Sequence, residues 1–493
     1  MTSRRTTLFL IGVAMSIAQF VLIRDFVSIL YGEEVVIVLV TASFFLGLSA
    51  GYLLALRLSA RLFRGFFVVS VFLHLTLPFS YRLLAASFAA WDLGGYSYLA
   101  LLGCYALIFN TMFAIFLPRL IASADDDPAS ASEDERLRLY YGLELCGFMT
   151  GFAIVALSWY RPPIALLAPY WLILGVLLHL VLRRAAWTGA FTALAVAGLV
   201  FFDGMDRGST ALLYQEKHSI RHAQVLYSIN SPYQKVEVIE GNRGERFLYL
   251  DGLLNLNSGD LEMLNYFLAE LPAMLTKPER ALLIGNGTLS SVPKIYPHAR
   301  YVTSVELDSA VLEAGRRFFT PPESLEGLDG WNLLVDDGKH FLRTTRELFD
   351  LIIVDVPSPL TIQEGYLHTV EFYQLARERL TDRGVLAVQL SGSLQHNDRT
   401  PARVAAALVQ VFAEVLVVNS DRADRGFAYA SRDLPFNGRQ LREAASDYER
   451  GLTLLRPAAV RSMIVDAVPF STDHMDLVLR RGWERFFNRY LSG

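Results

Sequence analysis

Cysteine is almost absent: the 493 residues contain two, Cys104 and Cys146, and both fall inside apolar runs. That excludes a disulfide framework and a thiolate metal cluster, and leaves the two as small residues packing helices. Charge is scarce as well. Asp, Glu, Lys and Arg make up 19% of the chain and sum to a net charge of -4, so there is no basic surplus of the kind that binds nucleic acid. There is no GxxxxGK phosphate loop, no Ser/His/Asp constellation at characteristic spacing and no zinc pattern; no metal is expected. Arg4 and Arg5 precede an apolar run as in a signal peptide, but no small-x-small cleavage site with a soluble stretch follows, so the run reads as a retained first helix.

What the chain has in excess is apolar length. Mean hydropathy is +0.33 and 53% of residues are hydrophobic, concentrated in residues 1–203. Seven runs there, near 7–24, 35–56, 65–88, 96–117, 142–160, 163–182 and 186–203, approach the roughly 20 residues that cross a bilayer. Pro78 and Arg82 make the third the weakest. The expectation is an all-α transmembrane bundle in the cell (inner) membrane, multi-pass, with about seven spans. Ten arginines (4, 5, 57, 61, 64, 119, 136, 138, 183 and 184) fall on the side of the N-terminus and three (24, 82 and 161) on the other, which puts the N-terminus in the cytoplasm. Seven spans then put the C-terminal half outside, whereas supply of a small-molecule cofactor would favour the cytoplasm. Glu144 lies in an apolar run, either at the interface or in a polar pocket. The acidic stretch 125–127 with 133–135 reads as a solvated connector.

The remainder reads as 204–213 linker, 214–280 small β region, 281–440 α/β domain and 441–493 C-terminal extension. Strands at 236–240 and 247–251 flank the turn-forming Gly241-Asn242-Arg243-Gly244, a β-hairpin. Strands at 281–285, 301–306, 332–335, 350–354, 385–390 and 414–419 then alternate with helices at 308–318, 338–347, 370–380 and 400–412, the pattern of a parallel sheet covered on both faces. Ligands of such sheets bind at the carboxyl ends of the strands. The first of these ends in Gly285-Asn286-Gly287, where glycines allow a tight turn and close backbone approach. The second ends in Glu306, spaced to accept both ribose hydroxyls, with Asp308 capping the next helix. The third ends in Asp336-Asp337-Gly338, where Asp337 either meets an adenine amino group or caps a helix. The fourth ends in Asp355, before Val356-Pro357-Ser358-Pro359, placed to act as a general base. His368 reads as a surface residue, and 475–490 as an amphipathic tail helix.

These residues carry a resemblance. From about 214 to about 431 the chain resembles the spermidine synthases (polyamine aminopropyltransferases), through Ser231-Pro232-Tyr233-Gln234, Leu250-Asp251-Gly252, Gly285-x-Gly287, Glu306, Asp337-Gly338 and Asp355 in family order. The resemblance includes members with a multi-span membrane region. It implies an AdoMet-methyltransferase-like Rossmann sheet and transfer of an aminopropyl group from decarboxylated AdoMet to a putrescine-like amine, releasing methylthioadenosine, with no metal. It also implies that Gln234, Gly285, Gly287, Glu306, Asp337 and Gly338 bind the cofactor and that Asp355 deprotonates the attacking amine. Tyr233, Asn255, Thr288, Ser358 and Tyr366 are substrate-lining candidates.

The chain departs from the family at the amine end. The glycine loop Gly-Gly-Gly-Asp-Gly-Gly becomes Gly285-Asn286-Gly287-Thr288-Leu289-Ser290, so Thr288 replaces the acid that holds the cofactor's cationic tail. Asp-x-x-Asp becomes Asp355-x-x-Ser358, Asn255 replaces a Gln, and Tyr-His-Glu becomes Leu264-Asn265-Tyr266. Alternatives are therefore an AdoMet-type transferase with a lipid or membrane-delivered acceptor, or a catalytically degenerate membrane sensor, scaffold or transport protein. A homodimer through the soluble half is a further expectation.

Overall fold

The structure is a computed structural model, and it describes all residues except 1, 31–33, 56, 78, 93–94, 123–132, 159–160, 162, 357–358, 360, 395–399, 422–424, 447–450, 477, 479, 481–482 and 485–493. Most of the acidic connector and most of the tail helix lie outside the described residues. The chain divides into two compact units, residues 1–244 with 249–253, and residues 245–248 with 254–485.

The first unit is built on helices α1 (Thr2–Leu30), α2 (Glu34–Ala55), α3 (Ala60–Leu75), α4 (Phe79–Ala90), α5 (Gly95–Ala114), α6 (Phe116–Ala122), α7 (Glu133–Leu157), α8 (Ile164–Leu182), α9 (Ala185–Val200) and α10 (Phe202–His218). Among the described residues, five helical stretches are long and apolar enough to cross a membrane, and up to seven if each of two bent pairs is one span. The pairs are α3 with α4 and α9 with α10, matching the third and seventh apolar runs. α1 and α7 pack backbone to backbone because α7 carries Gly147 and Gly151 one turn apart. A Cβ at Gly147 would stand 2.0 Å from Phe9 O, and one at Gly12 of α1 would stand 2.1 Å from Glu144 O. Small residues at this spacing are how apolar helices approach closely. Glu144 is buried within the unit, with Oε1 lacking a hydrogen-bond partner among the described residues. Cys104 and Cys146 are both exposed on helix surfaces, so they do not pack between helices of this unit.

The polar segment expected as a linker at 204–213 is part of α10 instead. Its polar residues are accommodated inside. Asp206, Ser209 and Thr210 are buried; Arg82 of α4 donates to Asp206 and to Thr210 Oγ1 (3.1 Å), and pairs with Asp25 of α1 at 3.0 Å. Arg82 is thus an interior cation rather than a loop arginine. Such a group is tolerated only when paired and hydrogen-bonded.

Strands β1 (Gln224–Asn230) and β2 (Lys235–Glu240) form an antiparallel hairpin in the first unit, turning through Ser231-Pro232-Tyr233-Gln234. The hairpin is fastened to the C-terminal end of α1. Arg24 donates to Ser231 O, Ser28 Oγ donates to Glu237 Oε2 (3.3 Å), and Glu237 also takes the Tyr214 hydroxyl (2.8 Å) and the Lys235 ammonium (2.8 Å). Gly252 has φ +75, and a Cβ there would lie 1.9 Å from Ser28 O. The expected hairpin at 236–240 and 247–251 is the middle of a larger meander, order β1-β2-β3-β4, with β3 (Arg246–Leu250) and β4 (Leu253–Asn257). The division between the units runs through these last two strands, not near residue 203.

The second unit holds an eight-stranded mixed sheet of β5 (Arg280–Gly285), β6 (Tyr301–Glu306), β7 (Trp331–Val335), β8 (Phe349–Asp355), β9 (Leu380–Gln389), β10 (Glu414–Ser420), β11 (Arg425–Ser431) and β12 (Leu452–Leu455). Their order is β12-β10-β11-β9-β8-β5-β6-β7. The five strands from β7 to β9 are parallel; β11 runs antiparallel to both β9 and β10. β12 extends the sheet into the stretch expected as a C-terminal extension, because Leu452 to Leu455 pair with β10. Alternate residues serve the two faces: Leu282 and Ile284 join one apolar core with Leu342, Phe372 and Leu408, while Ala281 and Leu283 join the other with Phe267, Leu312 and Phe427. Burial on both faces explains the unbroken apolar runs in the sequence.

Candidate active site

Strand order reverses between β5 and β8, and a doubly wound sheet binds ligands at such a switch point. Gly285 and Asp355 face each other there in register. Gly285 has φ +84, and a Cβ on it would stand 2.1 Å from Asp355 O, so only glycine fits. The chain then turns through Asn286 at φ +62. At Gly287 a Cβ would meet Val311 Cγ1 at 2.4 Å and Glu306 Oε2 at 3.2 Å, which brings the glycine loop against the carboxylate at the end of β6.

Glu306 is half-buried, and its Oε1 accepts the amide of Asp308 at 3.0 Å. Burial pushes its carboxyl up to about 7, with that hydrogen bond opposing and the charges of Asp308 and Asp355 adding to the rise. Asp308 caps the following helix by accepting Ala310 N at 2.9 Å, as expected. Asp355 is half-buried and its carboxyl is also raised, again by burial; the Asn286 hydrogen bond and the charge of Arg425 oppose the rise. Asn286 Nδ2 donates to Asp355 Oδ2 at 2.7 Å and to Ser291 Oγ at 2.8 Å. Ser291 and Ser290 in turn donate to Asn265 Oδ1, at 2.8 and 3.2 Å, and Thr288 Oγ1 lies 2.8 Å from Ser290 Oγ. Behind the glycine loop the described side chains therefore form a network of hydroxyls and amides that ends on the Asp355 carboxylate.

Asp337 is exposed and caps the helix Gly338–Thr344, Oδ1 accepting Lys339 N at 2.9 Å, the capping alternative of the two expected for it. Gly338 is buried, a Cβ there lying 2.4 Å from Ile284 Cγ2, so it serves packing. Tyr366 is 40% exposed with Lys339 Nζ 5.7 Å from its ring centroid. Asn255 is half-buried on β4. Tyr266 donates to Ala444 O at 2.7 Å, which directs its hydroxyl to the helix Gly438–Ala444. Tyr233 and Gln234 belong to the first unit, where the amides of both donate to Ser231 Oγ. Ser358 lies outside the described residues. His368 is buried, its Nδ1 3.2 Å from Tyr373 Oη, contrary to the surface position expected.

Two site residues escaped sequence reasoning. Gln389, at the end of β9, donates to Val356 O and accepts from Arg425 Nη1 at 2.6 Å. Arg425 opens β11, a strand announced only by the turn-like Asp424-Arg425-Gly426.

Residues 263–419 match the Spermine/spermidine synthase domain family. The polyamine aminopropyltransferase of Oceanobacillus iheyensis is 30% identical over 264 residues, covering 51% of this chain and 47% of that protein. The polyamine aminopropyltransferase of Thermoplasma volcanium is 30% identical over 202 residues, covering 40% of this chain and 73% of that protein. The chain belongs to the spermidine synthase family. It spans about half the length of the first of these relatives. A crystal structure of spermidine synthase in complex with the transition state analogue AdoDATO is 20% identical, with a TM-score of 0.39, over 52% of this chain and 87% of that one. Gly285, Gly287, Glu306 and Asp355 converge on one strand-end crevice, with the hydroxyl and amide network around Asn265 behind the glycine loop.

Proposed function

We propose that the protein is a transferase of the aminopropyltransferase type. An adenosyl sulfonium donor, decarboxylated AdoMet in the family's reaction, lies over Gly285 and Gly287 with its ribose on Glu306 and its adenine near Asp337. An amine attacks the propyl carbon beside the sulfonium, methylthioadenosine leaves, and Asp355 takes the amine's proton. The observation that carries this reading is the meeting of two half-buried carboxylates, Glu306 and Asp355, with a glycine loop at adjacent strand ends. A carboxyl raised by burial holds a proton more readily than an exposed one, which suits Asp355 to accept one. Incubating the purified full chain with the donor and putrescine, other amines or lipid extract tests this by release of methylthioadenosine. Asp355→Asn should lower the rate by about 10²- to 10⁴-fold, the range of general base catalysis. No methylthioadenosine from any combination overturns the reading and favours a catalytically degenerate sensor, scaffold or transport protein. A homodimer through the α/β unit belongs to the same proposal and is tested by light scattering.

We also propose that the first unit is embedded in the cell membrane, with the α/β unit on the side opposite the N-terminus. Support comes from the helices long and apolar enough to span, and from outward apolar side chains such as Phe45 (61% exposed) and Leu157 (80%). No candidate span follows residue 218 among the described residues. With arginines concentrated on the N-terminal side, the α/β unit faces away from the cytoplasm, and the donor must be supplied there. Paired alkaline phosphatase and fluorescent protein fusions at the C-terminus test this; fluorescence without phosphatase activity overturns it.

A further inference from the structure

Among the described residues of this crevice, Arg425 is a cation that forms no ion pair, although its charge acts on the Asp355 carboxyl. Arg425 is half-buried, and among the described residues its hydrogen bond goes to a neutral group, Gln389 Oε1 at 2.6 Å. Its position follows from the register. Phe427 pairs with Gln389 across β11 and β9, so Arg425 lies just beyond the carboxyl end of β9. Val388 pairs with Val354, which puts Gln389 beside Asp355. Alternation fixes the face as well. Phe427, Ala387, Ile353 and Leu283 share one apolar core, and two residues on from each strand's last member of that core, or two back in the antiparallel β11, stand Gln389, Asp355, Gly285 and Arg425. The guanidinium therefore belongs to the crevice of Asp355 and the glycine loop. Behind the glycine loop the described side chains of Thr288, Ser290 and Asn265 are hydroxyls and an amide, and Asn286 bonds to the Asp355 carboxylate.

Decarboxylated AdoMet carries a bare propylammonium tail, a cation, and AdoMet carries that same chain with a carboxylate added. Beside Asp355, a guanidinium held by a neutral amide, together with hydroxyls and an amide at Thr288, Ser290 and Asn265 where an acid would favour a cation, disfavours the first tail and pairs with the second. Arginine presents a planar fork of donors matched to carboxylate, and with Nη1 turned to Gln389 the remaining donors stay available.

The geometry points to intact AdoMet, held through its carboxylate by Arg425, as the donor for this chain. This rests on the transferase reading above and specifies its donor. The group moved is then 3-amino-3-carboxypropyl. The amine's lone pair forms the new N–C bond to the carbon beside sulfur, the C–S bond breaks with its electron pair left on sulfur, and methylthioadenosine leaves as a neutral thioether. The nitrogen's extra proton passes to Asp355. No oxidant, reductant or metal is needed for the balance.

Calorimetry on the full chain in detergent tests it with three ligands: methylthioadenosine, AdoMet and decarboxylated AdoMet. We expect AdoMet to bind about 10- to 100-fold more tightly than decarboxylated AdoMet, the range of a charge-assisted pair. Arg425→Met should erase that preference while leaving methylthioadenosine, which has no carboxylate, at its wild-type affinity. Thr288→Asp, which leaves Arg425 in place, should move the preference towards decarboxylated AdoMet by about tenfold. Equal or tighter binding of decarboxylated AdoMet by the wild-type chain, with methylthioadenosine bound, overturns the inference and leaves the transferase reading standing. Failure of all three ligands to bind overturns both.

Discussion

Asn286 Nδ2 donates to Asp355 Oδ2 at 2.7 Å from a left-handed turn at φ +62, while its backbone amide donates to Asp355 O at 3.0 Å. One residue thus holds both the backbone and the carboxyl of the proposed base. Asn286→Ala removes the donor that opposes the raised Asp355 carboxyl. A base works when ionised, so the acid limb of the pH–rate profile should move to higher pH in this variant. The rate at low pH should fall by about tenfold, one hydrogen bond to a charged group, and recover towards wild type as pH rises. An unmoved limb would show that Asn286 acts only on the fold.

Glu306 carries the second prediction. Its carboxyl sits at about 7 in the folded chain, above an ordinary glutamate at about 4.3. The folded state therefore holds the proton between those values, and this group's contribution to stability declines as pH rises from about 4.3 to about 7. Binding runs the other way. Two ribose hydroxyls are accepted best by the ionised carboxylate, so affinity for methylthioadenosine should increase with pH up to about 7 and then level off. Glu306→Gln should abolish that dependence and weaken binding by about 10- to 100-fold, as read by calorimetry across pH 5 to 8.

In an exposed helix interior, replacing glycine with alanine stabilises by about 1 kcal/mol. At Gly147 the sign should reverse, because the new Cβ would lie 2.0 Å from Phe9 O. Gly147→Ala should force α1 and α7 apart and lower the midpoint of thermal unfolding in detergent, whereas Gly142→Ala, with nothing within 4 Å of its Cβ, should leave it unchanged or raise it.

Arg82 holds Asp25 and Asp206 inside the first unit, all three buried. Arg82→Met leaves two interior carboxylates without their cation and should destabilise by about 3–5 kcal/mol. Adding Asp25→Asn and Asp206→Asn should restore much of that loss. Unfolding midpoints of the single and triple variants, with the wild type, check this; equal losses in both would mean that packing of the Arg82 side chain decides.

The sequence made the parallel strands legible because each is buried on both faces and reads as an uninterrupted apolar run ending in glycine or a carboxylate. Gly285, Glu306 and Asp355 stood out for that reason. α10 was not legible as a helix, since Asp206 and Thr210 look like linker residues until Arg82, more than a hundred residues earlier, neutralises them. Arg425 and Gln389 were not legible either: their meaning comes from an antiparallel strand inserted beside β9, and no local pattern announces that pairing. His368 resembled a surface histidine and is buried against Tyr373, a tertiary contact with no trace in its neighbours' hydropathy.

The fastening of the β1–β2 hairpin to the end of α1 also governs how the protein can be made and cut. A fragment beginning at Glu245 starts inside a four-stranded meander whose first two strands belong to the other unit. It would present the edge of β3 unpaired, an invitation to association between chains. Limited proteolysis ahead of β3 should therefore yield insoluble material instead of a free catalytic half. During synthesis α1 and α10 emerge before the meander, so Arg24, Ser28 and Tyr214 are already made when the hairpin they hold appears.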